Sequence, residues 1–302
     1  MSPGEGQGAL ELKLEIPDET LADRAGRLVG FDARFRRLGA QLRLLADADG
    51  LRAWAGRYHD GAPGLLGAIA DRYPLAIFHG DVGTGKTASA EAAADGLARM
   101  LGSDGFLLKL STRVRGVGHV GEMSTLIGDA FAEAVELAGR TRFVTLIIDE
   151  GDALAFNRGA ERAHHEDRVG VNTVIQKIDD ARRLNGRLLI VLCTNRFGAL
   201  DPAVIRRAAL IEEFDRPSEQ ERRELFRATL RGVDIAGHAL DDLVAATGPR
   251  DGRPGYTYSD VQTRLVPAAV ARAFAERALT AEDLLAACAE LEPSPAMDEG
   301  KA

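Results

Sequence analysis

An α/β fold is what this sequence predicts: a parallel five-stranded sheet between helices, followed by a small all-α domain. Three observations point there. Short, almost wholly apolar runs alternate with amphipathic stretches between residues 74 and 214, and apolar strands separated by helices build a parallel sheet covered on both faces. After Phe214 that strand pattern stops. The length, 302 residues, accommodates one large and one small domain at roughly 100 to 200 residues each.

Residues 1–27 read as an N-terminal tail and short linker, Gly-rich over 1–8. The core is expected over 28–217. Its strands fall at 74–79, 106–110, 143–148, 188–194 and 210–214, and its helices at about 87–101, 122–138, 168–184 and 202–207. Such a sheet binds ligands beyond the C-terminal ends of its strands. Pro217 marks a break, and Ser218 with Glu221 has the spacing of a capping box, which Thr280 with Asp283 repeats. Helices at about 219–230, 240–246, 259–278 and 281–291 compose a helical domain over 218–291. Residues 292–302, with two prolines and little that is apolar, are expected to form a disordered tail.

Composition narrows the function. A net charge of −8 argues against a dedicated nucleic-acid binder, which would need a local basic surface. Arginine carries nearly all the positive charge; the five lysines are Lys13, Lys86, Lys109, Lys177 and Lys301. Cys193 and Cys288 are far apart and belong to no CxxC pair, so neither a disulfide framework nor a zinc site is indicated. The apolar runs fall well short of the roughly 20 residues that cross a bilayer, and the N-terminus lacks a signal-peptide pattern. A cytoplasmic protein without a membrane partner is the expectation.

The most specific feature is Gly80-Asp81-Val82-Gly83-Thr84-Gly85-Lys86-Thr87, a full G-x-x-x-x-G-K-T between an expected strand and an expected helix that continues through Ala88. Glycines let successive N–H groups turn inward as an anion nest, and the new helix directs its positive end at phosphates. Lys86 is then suited to the β- and γ-phosphates of ATP, and the Thr87 hydroxyl to Mg²⁺. A second carboxylate is needed on the metal side. Asp149 supplies it at the end of the run 143–148, and Glu150 beside it is placed to activate the attacking water. The next strand ends in Asn195, whose amide is suited to hold that water from the other side.

Taken together, this phosphate loop, the Asp149-Glu150 strand end, Asn195 and the run from Leu200-Asp201-Pro202 to Arg206-Arg207 closely resemble the AAA+ ATPases. The resemblance spans about residues 28–291 and implies a homo-hexameric ring around a central pore, with 218–291 as its lid. It also implies an arginine that reaches the neighbouring subunit's γ-phosphate. Arg207 holds the matching place, with Arg206 second, and Leu210 stands where many relatives carry another arginine. Val29 and Gly30 match the segment that folds over the adenine. His119 and Val120, before Gly121-Glu122, match a loop that grips a polypeptide in the pore, and 157–167 match a second pore loop. Val169 stands where an H-E-x-x-H zinc protease would need its second histidine, so that reading fails.

Within that family, 168–179 and Arg264-Leu265-Val266-Pro267 are similar to stretches of pachytene checkpoint protein 2 and thyroid receptor-interacting protein 13. Those proteins remodel HORMA-domain proteins, and short bacterial forms serve anti-phage (CBASS) operons by disassembling a HORMA–nucleotidyltransferase complex. The resemblance thus implies a HORMA-domain substrate, which such a nucleotidyltransferase can accompany. Val261 occupies the usual place of the lid arginine, leaving Arg264 as the lid candidate. A nucleic-acid-handling ATPase of the replication or transposition helper type is the alternative, kept open by Arg113 and Arg115.

Overall fold

The computed structural model describes residues 9–110, 122–151 and 165–297. Six strands form one sheet: β1 (Leu10–Ile16), β2 (Leu75–Gly80), β3 (Gly105–Leu110), β4 (Phe143–Ile148), β5 (Leu188–Thr194) and β6 (Leu210–Phe214), in the order β1-β3-β4-β5-β2-β6. The five expected strands run parallel. The sixth, β1, runs antiparallel along β3, so the sheet is mixed, and the reading of 1–27 as tail and linker is corrected. The run Leu-Glu-Leu-Lys-Leu-Glu-Ile alternates apolar and charged residues, the mark of an edge strand with one face on the core and the other in water. Beyond it, α1 (Glu19–Ala25) starts from Asp18, whose side chain caps Leu21 N–H.

Alternation along the central strands assigns the helices to the sheet's two faces. Leu75, Ile77, Leu146, Ile148, Ile190 and Leu192 pack with Ile127 and Phe131 of α6 (Glu122–Ala138) and Val174 and Ile178 of α7 (His165–Ala181). Ala76, Phe78, Ile147, Val191 and Cys193 face α1, α2 (Phe31–Ala46) and the alanine-rich α5 (Lys86–Leu101). Each large side chain so buried contributes roughly 1.5–3 kcal/mol. Two further helices, α3 (Ala48–Tyr58) and α4 (Pro63–Ala70), precede β2, and α8 (Pro202–Ile205) follows β5. Among the described residues no helix is long and apolar enough to cross a membrane.

After β6 come α9 (Glu219–Thr229), α10 (Gly237–Ala246), α11 (Val266–Ala273) and α12 (Ala281–Glu290). Both expected capping boxes form, Ser218 with Glu221 and Thr280 with Asp283. Leu225, Phe226, Leu243, Val261, Leu265 and Leu284 gather into a third apolar cluster. In place of one helix over 259–278 there is a π-helical turn, Asp260–Leu265, leading into α11. Pro267 lacks the N–H that an α-helix would require there, and the wider turn absorbs the gap.

The expected disordered tail takes a second correction. Ser294 donates from its N–H and hydroxyl to Asp260 at 3.1 and 2.6 Å, and Met297 N–H donates to Asp81 Oδ1 at 2.8 Å. Pro293 and Pro295 flank that serine and restrict its backbone, so few bonds suffice to order residues 292–297.

Candidate active site

β2 ends in Gly80, whose φ of 138° and close approach to Phe214 leave no room for a side chain: a Cβ there would lie 2.2 Å from the Phe214 carbonyl oxygen. Gly83 and Gly85 also take left-handed backbone, at φ 77° and 88°. Gly85 then opens α5 at Lys86, and Thr84 Oγ1 donates to the Asp81 carbonyl at 2.8 Å. The buried Lys86 ammonium donates to the carbonyls of Gly80 and Asp81 at 3.0 and 2.7 Å. Val82 is half exposed, and Ala88 sits in the first turn of α5. The loop therefore has the inward-turned backbone and helix start that suit phosphate oxygens.

β5 lies next to β2 and β4 next to β5, all three parallel, so the C-terminal ends of β4 and β5 open onto this loop. Thr87 Oγ1 donates to Asp149 Oδ2 at 2.9 Å. A hydroxyl and a carboxylate meeting at the phosphate loop are the hard oxygen donors that Mg²⁺ takes, supplemented by water and phosphate. Bound there, the ion would offset charge on the phosphates. Asp149 also accepts from the Glu150 N–H at 2.9 Å. Glu150 itself sits at φ 51°, a left-handed conformation that a non-glycine residue holds only when its surroundings demand it, and such strain gathers at functional sites. Asn195 directly follows β5, half-buried, and Arg196 N–H closes the turn on Thr194 Oγ1 at 3.0 Å.

One charged group here escaped the sequence reading. Lys109 on β3 places its ammonium 2.8 Å from Glu11 Oε1 and 3.4 Å from Asp149 Oδ2. The β1–β3 register shifts between Leu10 and Leu12, and such a bulge re-aims the extra residue, here Glu11. Burial works to discharge the lysine, but the bond to Glu11 and the field of Asp149 outweigh it and raise its pKa above the ordinary value. Lys109→Met should therefore weaken nucleotide binding in EDTA and lower the magnesium needed for half-saturation. A unit charge about 8 Å away in a medium of effective dielectric about 20 is worth about 2 kcal/mol; solvent screening brings the expected changes to about fivefold. Fluorescent-nucleotide titrations with and without magnesium check both signs.

The two candidate arginines differ. Arg207 donates to Asp179 from Nε at 2.6 Å and Nη2 at 3.0 Å and to the Ala203 carbonyl at 3.0 Å, with its guanidinium 5.3 Å from the Tyr73 ring centroid. The Asp179 bond holds its pKa above the ordinary arginine value. The Arg206 side chain is exposed and makes no hydrogen bond or ion pair among the described residues. Val29 packs against the helical cluster, and Gly30, at φ 75°, abuts Glu221. Next to them a cavity of about 220 Å³ is lined by the apolar Leu28 and Ala88 and by the polar Arg24, Glu91 and Gln262, the mix of apolar surface and a few polar groups that ligand pockets share. Arg264 is bound to Asp260 at 2.9 Å. His119 and Val120 lie outside the described residues, as do 157–164 of the second pore-loop segment.

Comparison with known proteins agrees with this geometry. Residues 76–216 match the family described as "ATPase family associated with various cellular activities (AAA)". CD-NTase-associated protein 6 of Escherichia coli (strain KTE188) is 47% identical over 287 residues, 95% of this chain and 96% of that one. A solved structure described as "Structure of E. coli MS115-1 HORMA:CdnC:Trip13 complex" contains a chain with 40% identity and a TM-score of 0.88, covering 95% of this chain and 97% of that one. The "Structure of Rhizobiales Trip13" gives 36% identity and a TM-score of 0.72, over 94% and 99%. With a phosphate loop, a paired carboxylate strand end and these relatives along nearly its whole length, the chain belongs to the AAA family of ATPases, homologous to CD-NTase-associated protein 6 and similar to Trip13.

Proposed function

We propose that this ATPase is a cytoplasmic homo-hexamer that uses ATP and Mg²⁺ to pull on a HORMA-domain protein through its central pore. In doing so it takes apart a HORMA–nucleotidyltransferase complex and regulates anti-phage signalling. The observation that carries this reading is the near full-length similarity to a chain solved together with HORMA and CdnC. The P-loop amides and Lys86 bind the phosphates, Thr87 and Asp149 hold the metal, and Glu150 with Asn195 orients and activates water. The exposed Arg206, ahead of the paired Arg207, completes the neighbouring subunit's site.

The test is a HORMA–nucleotidyltransferase complex incubated with this protein. With ATP the complex should separate on size exclusion and its cyclic-oligonucleotide synthesis should fall. A complex that stays intact, while DNA stimulates hydrolysis, would instead favour the nucleic-acid reading. Val120→Ala should keep basal hydrolysis within about twofold yet lose at least about tenfold in remodelling rate, because gripping a chain rests on apolar contact. Parallel phosphate-release and dissociation assays separate the two effects.

A further inference from the structure

Asp81 sits second in the phosphate loop and introduces a full negative charge into a site shaped for anions. Both its oxygens are taken. Arg216, between β6 and α9, donates from Nε to Oδ2 at 2.6 Å, and Met297 N–H donates to Oδ1 at 2.8 Å. Arg216 also donates from Nη1 to the Gly255 carbonyl at 2.6 Å, and its Nη2 is buried without a hydrogen-bond partner among the described residues. Upstream of Met297, Ser294 makes its two bonds to Asp260. Asp260 is fully buried and also accepts from Thr257 N–H at 3.0 Å and from Arg264 at 2.9 Å. The phosphate loop touches the same turn directly: Ser259 N–H donates to the Gly83 carbonyl at 3.1 Å, and a Cβ on Gly83 would lie 2.7 Å from Thr257 Oγ1.

These bonds close a circuit. It runs from Asp81 through Arg216 to Gly255, from the neighbouring Thr257 to Asp260, and back along 294–297 to Asp81. We propose that residues 291–297 are a working part of the nucleotide site: a strap that holds the helical domain on the phosphate loop and offsets the Asp81 charge. Ser294 and Asp260 anchor it, and Asp81 is the positioning residue on which it acts. The role concerns binding rather than bond cleavage, since the strap donates to Asp81 and Asp260 and to neither Asp149 nor Glu150. It rests on the reading that ATP occupies the loop.

The experiment compares the full chain with a chain ending at Leu291, with Ser294→Ala and with Ser294→Thr, reading ATP KM, kcat and ADP affinity. Ending at Leu291 should raise KM and the ADP dissociation constant about tenfold and leave kcat within about twofold, in line with losing hydrogen bonds to charged groups. Ser294→Ala, which keeps the backbone bond, should raise KM about threefold, and Ser294→Thr should restore it. Ending the chain at Leu291 in an Asp81→Asn background should change KM less than about threefold, because the charge to be offset is gone. An unchanged KM in both the shortened chain and Ser294→Ala overturns the strap. Equal effects with and without Asp81→Asn overturn its action through Asp81. A full chain that binds no ATP would instead sink the nucleotide reading beneath it, and Lys86→Ala, expected to bind none, calibrates that outcome.

Discussion

Glu150→Gln is expected to bind ATP with affinity within about threefold of the unaltered protein and to lose at least about a hundredfold in turnover, the usual range for removing a general base. The substitution keeps size and hydrogen bonding and removes only the proton acceptor. The backbone at 150 argues for a functional charge: φ 51° at a glutamate costs about 1–3 kcal/mol, and a glycine would avoid it. Single-turnover measurements with radiolabelled ATP separate binding from cleavage. Turnover near the unaltered rate would show that another group activates water.

The arginine assignment has a comparably large consequence. Arg206→Ala should lower turnover of the assembled protein by about 10³-fold or more, the scale for a positioned arginine at a transferring phosphoryl group. Arg207→Ala should mainly cost stability, about 1 kcal/mol, since Asp179 keeps access to water. Mixing tells the two arginines apart. Subunits with Arg206→Ala keep an intact pocket, and Lys86→Ala subunits keep an intact arginine. Equal proportions should regain about a quarter of the unaltered turnover, the share of sites that pair the two. No recovery on mixing, with assembly intact by light scattering, would mean that the site is not shared through Arg206.

What could be read from sequence was what is local. The phosphate loop, the Asp149-Glu150 pair, Asn195 and both capping boxes announce themselves within a few residues, because each works through the backbone beside it. Leu12 and Leu14 of β1 alternate just as plainly with their charged neighbours, yet nothing local says which sheet they join. Lys109 could be singled out only as one of five lysines; its meaning comes from Glu11 and Asp149, brought together by strand order. Asp81 and Met297 lie 216 residues apart, and no spacing rule anticipates that bond. The family resemblance ranks Arg207 first and Arg206 second, and the preference for Arg206 comes only from the fold. The difference is Asp179 on α7, 28 residues earlier.

The antiparallel edge strand gives the N-terminus a mechanical meaning. An edge strand tugged from its end peels rung by rung, and the rungs of β1 begin with Leu10 opposite Leu110 and continue with Leu12 opposite Lys109. Glu11 lies between them. The first hydrogen bonds to tear under a pull from that side are thus those that keep Glu11 on Lys109, which stands 3.4 Å from Asp149. A load applied at the N-terminal end of β1 would therefore reach the Lys109–Asp149 contact before the later rungs of the strand.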